Sequence, residues 1–350
     1  MQAASALKTI RASSPLLRNL PRAIPARSVS CSAPRLFSAS VIRPANMTTG
    51  NFKYIDPTSY VKSDVPFVKP WSKVDGPGSS FKLTDHKRPV ENIRGQESNF
   101  SVDTSGFAVH HEPAHEKAFT DEKQVREGYY AEVEALLRKK LPGIKKVVIF
   151  DHTIRRRDKA SPRQPVQQVH VDQTPGAAAV RVRRHLPAEE AEELLKGRYQ
   201  IINVWRPIQN VASDFPLAVV DWRSTSPSDL VKVDLLYPKR DTTNGVDDSD
   251  DRGKEQLPDP TSASSTNGYE VKGETFGVVP NDNHKFFYYK DMTPEEVMFI
   301  KCFDSRSQVH SGGKQGLADY TPHTAFVDPQ TPANAPGRQS IEVRCLVFYE

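Results

Sequence analysis

The feature that most constrains the fold is the stretch Val169-His170-Val171-Asp172, in which apolar and polar residues alternate. A period of two is the pattern of a β-strand with one buried face, and it places residues i and i+2 on the same face. A strand at this point carries an imidazole and a carboxylate side by side. The chain must therefore build a sheet around this pair, which favours a β-rich fold.

A second histidine would complete a metal site. Two imidazoles and one carboxylate form the set that holds Fe(II) and leaves coordination positions open. Our candidate is His323, in Tyr320-Thr-Pro-His-Thr-Ala-Phe326. His284 is the alternative, but it precedes an aromatic run, 286–289, of the kind that more often packs in a core. We predict a metal site made of His170, Asp172 and His323.

Another histidine motif, His111-Glu112-Pro113-Ala114-His115, matches the H-E-x-x-H pattern of zinc proteases. That pattern works only on a helix, which brings both imidazoles onto one face. Pro113 would remove a helical hydrogen bond and clash with the preceding turn. The sequence therefore argues against a zinc hydrolase. It also lacks a glycine-rich nucleotide loop after a first strand, which argues against a methyltransferase.

The remainder of the chain is predicted to form many short strands and few helices. Apolar residues at helical spacing predict an amphipathic helix over 120–140, and proline near the start with glycine at the end predicts a second helix over 186–197. Residues 174–179 read as a loop. Strands are predicted at 145–150, 166–172, 199–207, 217–222, 231–237, 275–279, 285–290, 297–303 and 341–349. We predict a mainly β fold with flanking helices and a double-stranded β-helix core, the cupin-like jelly roll.

The composition changes along the chain and suggests a division into parts. Residues 1–46 are rich in Arg, Ser and Ala and contain no acid, as in a mitochondrial transit peptide, although Met47 could start a cytoplasmic form. Residues 47–118 are rich in Pro, Gly, Asp and Asn and are predicted to form an extended arm or lid. Residues 119–350 form the predicted catalytic domain. Within it, 241–268 are acidic and rich in Ser, Thr and Asn, which predicts a disordered insertion.

Charge and cysteine content exclude several classes of protein. Residues 1–55 carry eight of the 48 basic side chains and none of the 43 acids, so the rest of the chain has 40 bases against 43 acids. A body that is slightly acidic argues against nucleic-acid binding. Three scattered cysteines are too few for a disulfide framework and indicate a reducing compartment. No apolar run approaches the roughly 18 residues needed to cross a bilayer, so we expect a soluble protein.

Seven short stretches together resemble one enzyme superfamily. They are Val169-His-Val-Asp-Gln-Thr174, Asn203-Val-Trp-Arg-Pro207, Asp234-Leu-Leu-Tyr-Pro238, Asp291-Met-Thr-Pro-Glu-Glu296, Ile300-Lys-Cys-Phe-Asp-Ser305, Pro322-His-Thr-Ala-Phe326 and Arg338-Gln-Ser-Ile-Glu-Val-Arg344. The sequence resembles the Fe(II)/2-oxoglutarate-dependent dioxygenases over residues 120–350. More narrowly, it is similar to a fungal group related to gibberellin desaturase, the aspergillic-acid hydroxylase/desaturase and the cephem methoxylase accessory chain.

The resemblance implies roles for particular residues. His170, Asp172 and His323 would bind iron, and Arg338 with Ser340 would bind the far carboxylate of 2-oxoglutarate, for which Arg344 is the alternative clamp. Asn203 or Arg206, at the end of a predicted strand, would contact cosubstrate or substrate.

The implied reaction uses dioxygen to hydroxylate or desaturate a small organic molecule, in secondary metabolism. The alternative is a catalytically silent jelly-roll binding or accessory protein. The oligomeric state is left open.

Overall fold

Strands dominate the structure, as the alternating sequence pattern predicts. The computed structural model describes residues 46–69, 78–157, 164–239 and 265–350. The predicted leader, apart from residue 46, and residues 241–264 of the predicted insertion lie outside these ranges. Mitochondrial import and disorder of the insertion therefore stay predictions.

The described residues form two sheets. The strands are β1 (Met47–Ile55), β2 (Phe67–Val68), β3 (Leu83–Asn92), β4 (Phe107–His111), β5 (Ile144–Arg156), β6 (His170–Val171), β7 (Tyr199–Pro207), β8 (Leu217–Val220), β9 (Leu230–Pro238), β10 (Tyr269–Val278), β11 (Phe286–Tyr288), β12 (Glu296–Asp304), β13 (His323–Ala325) and β14 (Gln339–Tyr349). One sheet has nine strands in the order β1-β3-β11-β8-β13-β6-β10-β9-β2. The other has five, in the order β4-β12-β7-β14-β5.

An apolar core joins the two sheets. Phe107, Trp205 and Ile300 of the five-stranded sheet are buried in one cluster with Val219 and Phe287 of the nine-stranded sheet. Burying apolar faces against each other is what keeps two sheets together. The predicted jelly-roll architecture is confirmed, and the space between the sheets is where the site lies.

Helices cover the outer face of the five-stranded sheet. α1 (Glu122–Gln124), a π-turn (Val125–Tyr129) and α2 (Tyr130–Lys140) run continuously through the predicted helix. The Asp121 carboxylate accepts hydrogen bonds from two backbone amides of the first turn and so caps the start. The predicted apolar positions Val125, Tyr129, Val133 and Leu137 are buried against the sheet.

A helix also occupies residues that were predicted to be a loop. α3 (Pro175–His185) includes 175–179 and is followed by α4 (Ala188–Lys196), which lies where the second helix was predicted. The Thr174 hydroxyl accepts a hydrogen bond from the Ala177 amide, so Thr174 is an N-cap and Pro175 stands in the first turn. Thr-Pro-Gly is thus a helix start signal rather than a loop signal.

Residues 47–118, predicted as an extended arm or lid, are built into both sheets. β1 pairs with β3 along its whole length, from Met47 opposite Glu91 to Ile55 opposite Leu83. β4 lies at the edge of the five-stranded sheet beside β12. Phe52 and Tyr54 alternate along β1 and are fully buried. This alternation marks a strand of the core, and it is masked in the sequence by the Pro- and Gly-rich connections around it.

The predicted insertion connects two strands that are already paired. Pro238 at the end of β9 lies opposite Tyr269 at the start of β10, and the Lys239 amide donates a 2.7 Å hydrogen bond to the Gly268 carbonyl. The two ends therefore meet within one antiparallel ladder.

We expect that deleting residues 241–264, which leaves Arg240, Ser265, Thr266 and Asn267 as the connection, changes the melting temperature by less than about 3 °C. Loop closure entropy grows only slowly with length, and about 1 kcal/mol corresponds to a few degrees in a domain of this size. Differential scanning calorimetry of both proteins measures the change. A large loss would show that the insertion packs as a structured lid.

Candidate metal centre

Two short strands bring the predicted histidines face to face. β6 pairs with β13 through His170 and His323, which lie directly opposite each other, and β10 pairs on the other side of β6. Residues opposite each other in a ladder project to the same face of the sheet. Asp172 follows two residues after His170 and shares that face. The pattern H-x-D and the distant histidine thus meet at one point.

The ligand atoms of the three residues lie within 4.8 Å of one another. Asp172 Oδ1 is 3.3 Å from His170 Nε2 and 3.9 Å from His323 Nε2. Among the described residues, this is the group of His, Cys, Asp and Glu side chains that could hold a metal ion. The donor set, two nitrogens and one oxygen on one side, fits Fe(II).

Backbone carbonyls orient both imidazoles. His170 Nδ1 is 2.7 Å from the Gln168 carbonyl oxygen, and His323 Nδ1 is 3.0 Å from that of Thr321. A carbonyl can only accept, so each Nδ1 carries a proton and donates it, which turns Nε2 of each ring toward Asp172 as the atom that can bind a metal. Burial lowers the pKa of His323, and the neighbouring His170 acts in the same direction, which favours the neutral, ligating form of His323.

The carboxylate of Asp172 is held from one side. Asn203 Nδ2 donates a 2.8 Å hydrogen bond to Oδ2, and Arg344 Nε lies 3.4 Å from the same oxygen. Burial opposes ionisation, but the His170 hydrogen bond and the Arg344 charge outweigh it and keep the pKa of Asp172 well below its usual range. Oδ2 is therefore engaged by the protein, and Oδ1 faces the histidines as a single ligand atom.

A buried arginine faces the same narrow cavity as the three ligands. Arg338, which directly precedes β14, Ser340 of β14 and Trp205 of β7 line this cavity together with His170, Asp172 and His323. Arg338 Nη1 donates to the Phe215 carbonyl at 2.7 Å, while its Nε is buried without a hydrogen-bond partner. Burial, reinforced by the charge of Arg155, lowers the pKa of Arg338 to about 9.

Such an arginine suits an anionic ligand. A buried charge without an opposite charge costs several kcal/mol, and a carboxylate that binds it bidentately offsets much of that cost. The cavity is lined by the three candidate metal ligands and by an arginine that has no carboxylate partner among the described residues. These residues fit 2-oxoglutarate, whose two ends are a metal chelator and a carboxylate.

Arg344, the alternative clamp, also lines the cavity but is already paired. It donates to Asp151 at 2.7 Å and to Thr153 at 3.1 Å, and it lies 3.2 Å from Glu342. Because these acids are close, the pKa of Arg344 is raised despite its burial. Its geometry is that of a residue that fixes Asp172.

Arg206 does not reach the cavity. Its guanidinium donates to the Tyr129 hydroxyl at 2.8 Å and to the carbonyls of Pro294 and Glu112, both at 2.9 Å. Asn203 and Trp205 point from β7 toward the nine-stranded sheet, so Arg206, one residue further, points to the opposite face, where the helices pack. The expected contact of Arg206 with cosubstrate or substrate is corrected: Arg206 joins the π-turn before α2 to the residues that follow β4 and precede β12.

The rejected alternatives are also located. His284 is buried between the Tyr54 hydroxyl and Asp229 Oδ2, each 3.0 Å away, and does not join the metal ligands. His111 ends β4, and the residues after it form no helix, so the H-E-x-x-H motif lacks the geometry of a zinc site.

Known proteins are similar in sequence to this chain over most of its length. A family model described as "oxidoreductase/YMDC permease-like domain" matches residues 52–348. The hydroxylase/desaturase efuI of Hormonema carpetanum is 34% identical over 293 residues, which cover 79% of this chain and 88% of efuI. The Fe(II)/2-oxoglutarate-dependent dioxygenase nvfI of Aspergillus novofumigatus is 32% identical over 278 residues, 77% of this chain and 86% of nvfI. The chain belongs to the fungal Fe(II)/2-oxoglutarate-dependent dioxygenases.

A solved structure has the same fold. The iron and alpha-ketoglutarate-dependent endoperoxidase NvfI superposes with a TM-score of 0.68 at 28% identity and covers 87% of this chain and 98% of NvfI. As a member of this family, the chain described here uses Fe(II) and 2-oxoglutarate. The group formed by its residues His170, Asp172 and His323 fits the iron. In the ranges that the structure describes, none of its helices is long and apolar enough to cross a membrane.

Sequence reasoning found Asn203 but not what it contacts. Asn203 was predicted to be a site residue because it lies where polar and aromatic residues end a predicted strand. In the structure its side chain donates a hydrogen bond to Asp172 from the facing sheet. The signal in the sequence was the spacing of Asn203 and Trp205, which places both on one face of β7. Their common partner depends on how the sheets pack, which spacing does not encode.

We expect Asn203→Ala to raise the dissociation constant for Fe(II) by about 10- to 100-fold, because the hydrogen-bond partner of a metal ligand fixes its orientation. Anaerobic titration of the purified dioxygenase with Fe(II) measures the constant. Asn51→Ala, on the exposed side of β1, is the matched control and leaves it unchanged. An unaltered constant in Asn203→Ala would mean that Asp172 needs no support from β7.

Proposed function

We propose that His170, Asp172 and His323 bind Fe(II), and that Arg338 with Ser340 binds the far carboxylate of 2-oxoglutarate. The observation that carries the proposal is the position of Arg338. This buried cation has an unpartnered Nε and lines the same cavity as the three candidate ligands. Its planar donors suit a carboxylate, and the Ser340 hydroxyl adds a further hydrogen bond.

The protein's contribution is orientation and exclusion of water. Asn203 and Arg344 hold Asp172 Oδ2, and the carbonyls of Gln168 and Thr321 hold the imidazoles, so the three ligand atoms are arranged in advance. His323 and Arg338 are almost fully buried, which limits the access of water to them. Fe(II) bound by these residues, with 2-oxoglutarate as reductant and dioxygen as oxidant, would supply the chemistry that removes hydrogen from an unactivated carbon.

The product is a hydroxylated or desaturated small organic molecule of secondary metabolism. The names of efuI, hydroxylase/desaturase, and of NvfI, endoperoxidase, support an oxidation of this kind. Both outcomes begin with removal of hydrogen from the substrate and use the same ligands. A catalytically silent scaffold is the weaker alternative, because every ligand and its supporting partner is present.

Chelation of Fe(II) by 2-oxoglutarate gives a weak visible charge-transfer band, which tests the ligand set. We expect the band in the wild-type protein under anaerobic conditions and its loss in His170→Ala and in His323→Ala, since each removes one of three ligands. His115→Ala is the matched control, because this histidine is 95% exposed and far from Asp172 in sequence. A band that persists in His323→Ala would remove this residue from the metal site.

A second comparison separates the two arginines. We expect Arg338→Ala to raise the 2-oxoglutarate concentration for half-maximal decarboxylation by roughly 10- to 100-fold, the value of a charge-assisted hydrogen bond. Arg344→Ala, measured at saturating Fe(II), changes it much less because Arg344 supports Asp172. The reverse order would move the cosubstrate clamp to Arg344.

A further inference from the structure

A second cavity adjoins the metal centre. It has a volume of about 360 Å³ and lies between α3 and the hairpin of β9 and β10. Asp172 lines this cavity and the narrow one that contains the other two ligands. Its size falls in the range of roughly 300–1,000 Å³ typical of small-molecule sites. A substrate in this cavity would approach the metal centre from the side of Asp172.

The walls of the cavity are largely apolar. Val180 of α3, Leu235 of β9 and Val271 of β10 line it. Val180 and Val271 are each 52% exposed, unusually high for valines that face a concave surface. Apolar side chains left open inside a cavity suit the apolar body of a small ligand.

One face of α3 also gives this cavity a positive charge. Ala177, Arg181 and Arg184 line it at helical spacing, four and then three residues apart. Within the described residues, neither arginine forms an ion pair or a hydrogen bond. The Arg181 guanidinium lies over the Phe150 ring, 4.8 Å from its centroid. Burial lowers the pKa of Arg181 despite the opposing charge of Asp151, and the charges of Arg184 and Arg344 also lower it.

The nearby acids already have partners. Glu274 is held by Lys232 and by the Thr174 hydroxyl, both at 2.5 Å. Asp151 accepts from Arg344 at 2.7 Å. Asp172 belongs to the metal centre. Among the described residues, the two arginines of α3 therefore form no direct ion pair with these acids, although the charge of Asp151 acts on Arg181.

We propose that the substrate is a small organic anion with an apolar body, and that Arg181, assisted by Arg184, binds its anionic group. The apolar body then lies between Val180, Leu235 and Val271 and extends toward Asp172. This inference rests on the proposed function, because it names the class of molecule that the iron centre oxidises. Arg181 is a specificity-determining residue and takes no part in metal or cosubstrate binding.

The test compares two probes with the same apolar body, 2-naphthoate and methyl 2-naphthoate. Each is titrated calorimetrically into the full-length protein under argon with saturating Fe(II) and 2-oxoglutarate, so that the cosubstrate occupies Arg338. We expect naphthoate to bind at least about tenfold more tightly than the ester, as a charge-assisted contact gives. Arg181→Met abolishes this preference, and Arg181→Lys retains part of it.

Arg183→Met is the matched control. Arg183 lies on the same helix but is exposed and paired with Glu192 at 2.6 Å, so its loss leaves the preference unchanged. Equal binding of the two probes, no binding of naphthoate, or a preference that survives in Arg181→Met each overturns the proposal. Thermal melting of each variant verifies that it is folded.

The charge-transfer band, recorded on the same samples, tests the iron assignment independently of the substrate class. A band without an Arg181-dependent preference overturns the substrate class and leaves the iron assignment standing. If the wild-type protein gives no band, the iron assignment fails, and the probes are titrated into metal-free protein to judge the cavity alone. In that titration, a preference lost in Arg338→Met rather than in Arg181→Met would assign the anion to the other cavity and overturn the proposal.

Discussion

The metal centre depends on the pairing of two very short strands. β6 and β13 meet at His170 and His323, and each is held in place by its other neighbour, β10 or β8. Because side chains alternate along a strand, a shift of one residue in this register would turn one imidazole to the opposite face. The surrounding long strands therefore matter mainly because they fix this single register.

The five-stranded sheet supplies the groups that support the metal ligands of the nine-stranded sheet. Four residues reach the centre from the five-stranded sheet: Asn203 and Trp205 of β7, Arg344 of β14, and Arg338 directly before β14. The three ligands belong to the other sheet or follow it directly. The apolar core that joins the sheets thus sets the distance between ligands and supporting groups. Packing energy and site geometry are properties of the same interface.

The sequence predicted the strands and the metal ligands better than the residues that contact those ligands. The H-x-D alternation, the apolar periodicity of 120–140 and the run 199–207 are local patterns, and the structure reproduces them. Arg206 was misplaced because alternation says which residues share a face but not which face meets the cavity. The start of α3 was missed because Thr-Pro-Gly resembles a turn when the capping contact to Ala177 is not visible. Whether Arg338 has a carboxylate partner among the described residues depends on residues distant in sequence, so no spacing predicts it.

The cap at Thr174 has a geometric consequence for substrates. Asp172 lies two residues before this cap, and Arg181 lies on the helix that begins at Pro175, so the backbones of the two residues are joined by a short connection and a rigid helix. At 1.5 Å per residue, the six steps from Pro175 to Arg181 rise about 9 Å. If Arg181 binds the anionic group of the substrate, as proposed, this helix sets the distance between that group and the metal centre, and with it which carbon of the substrate reacts.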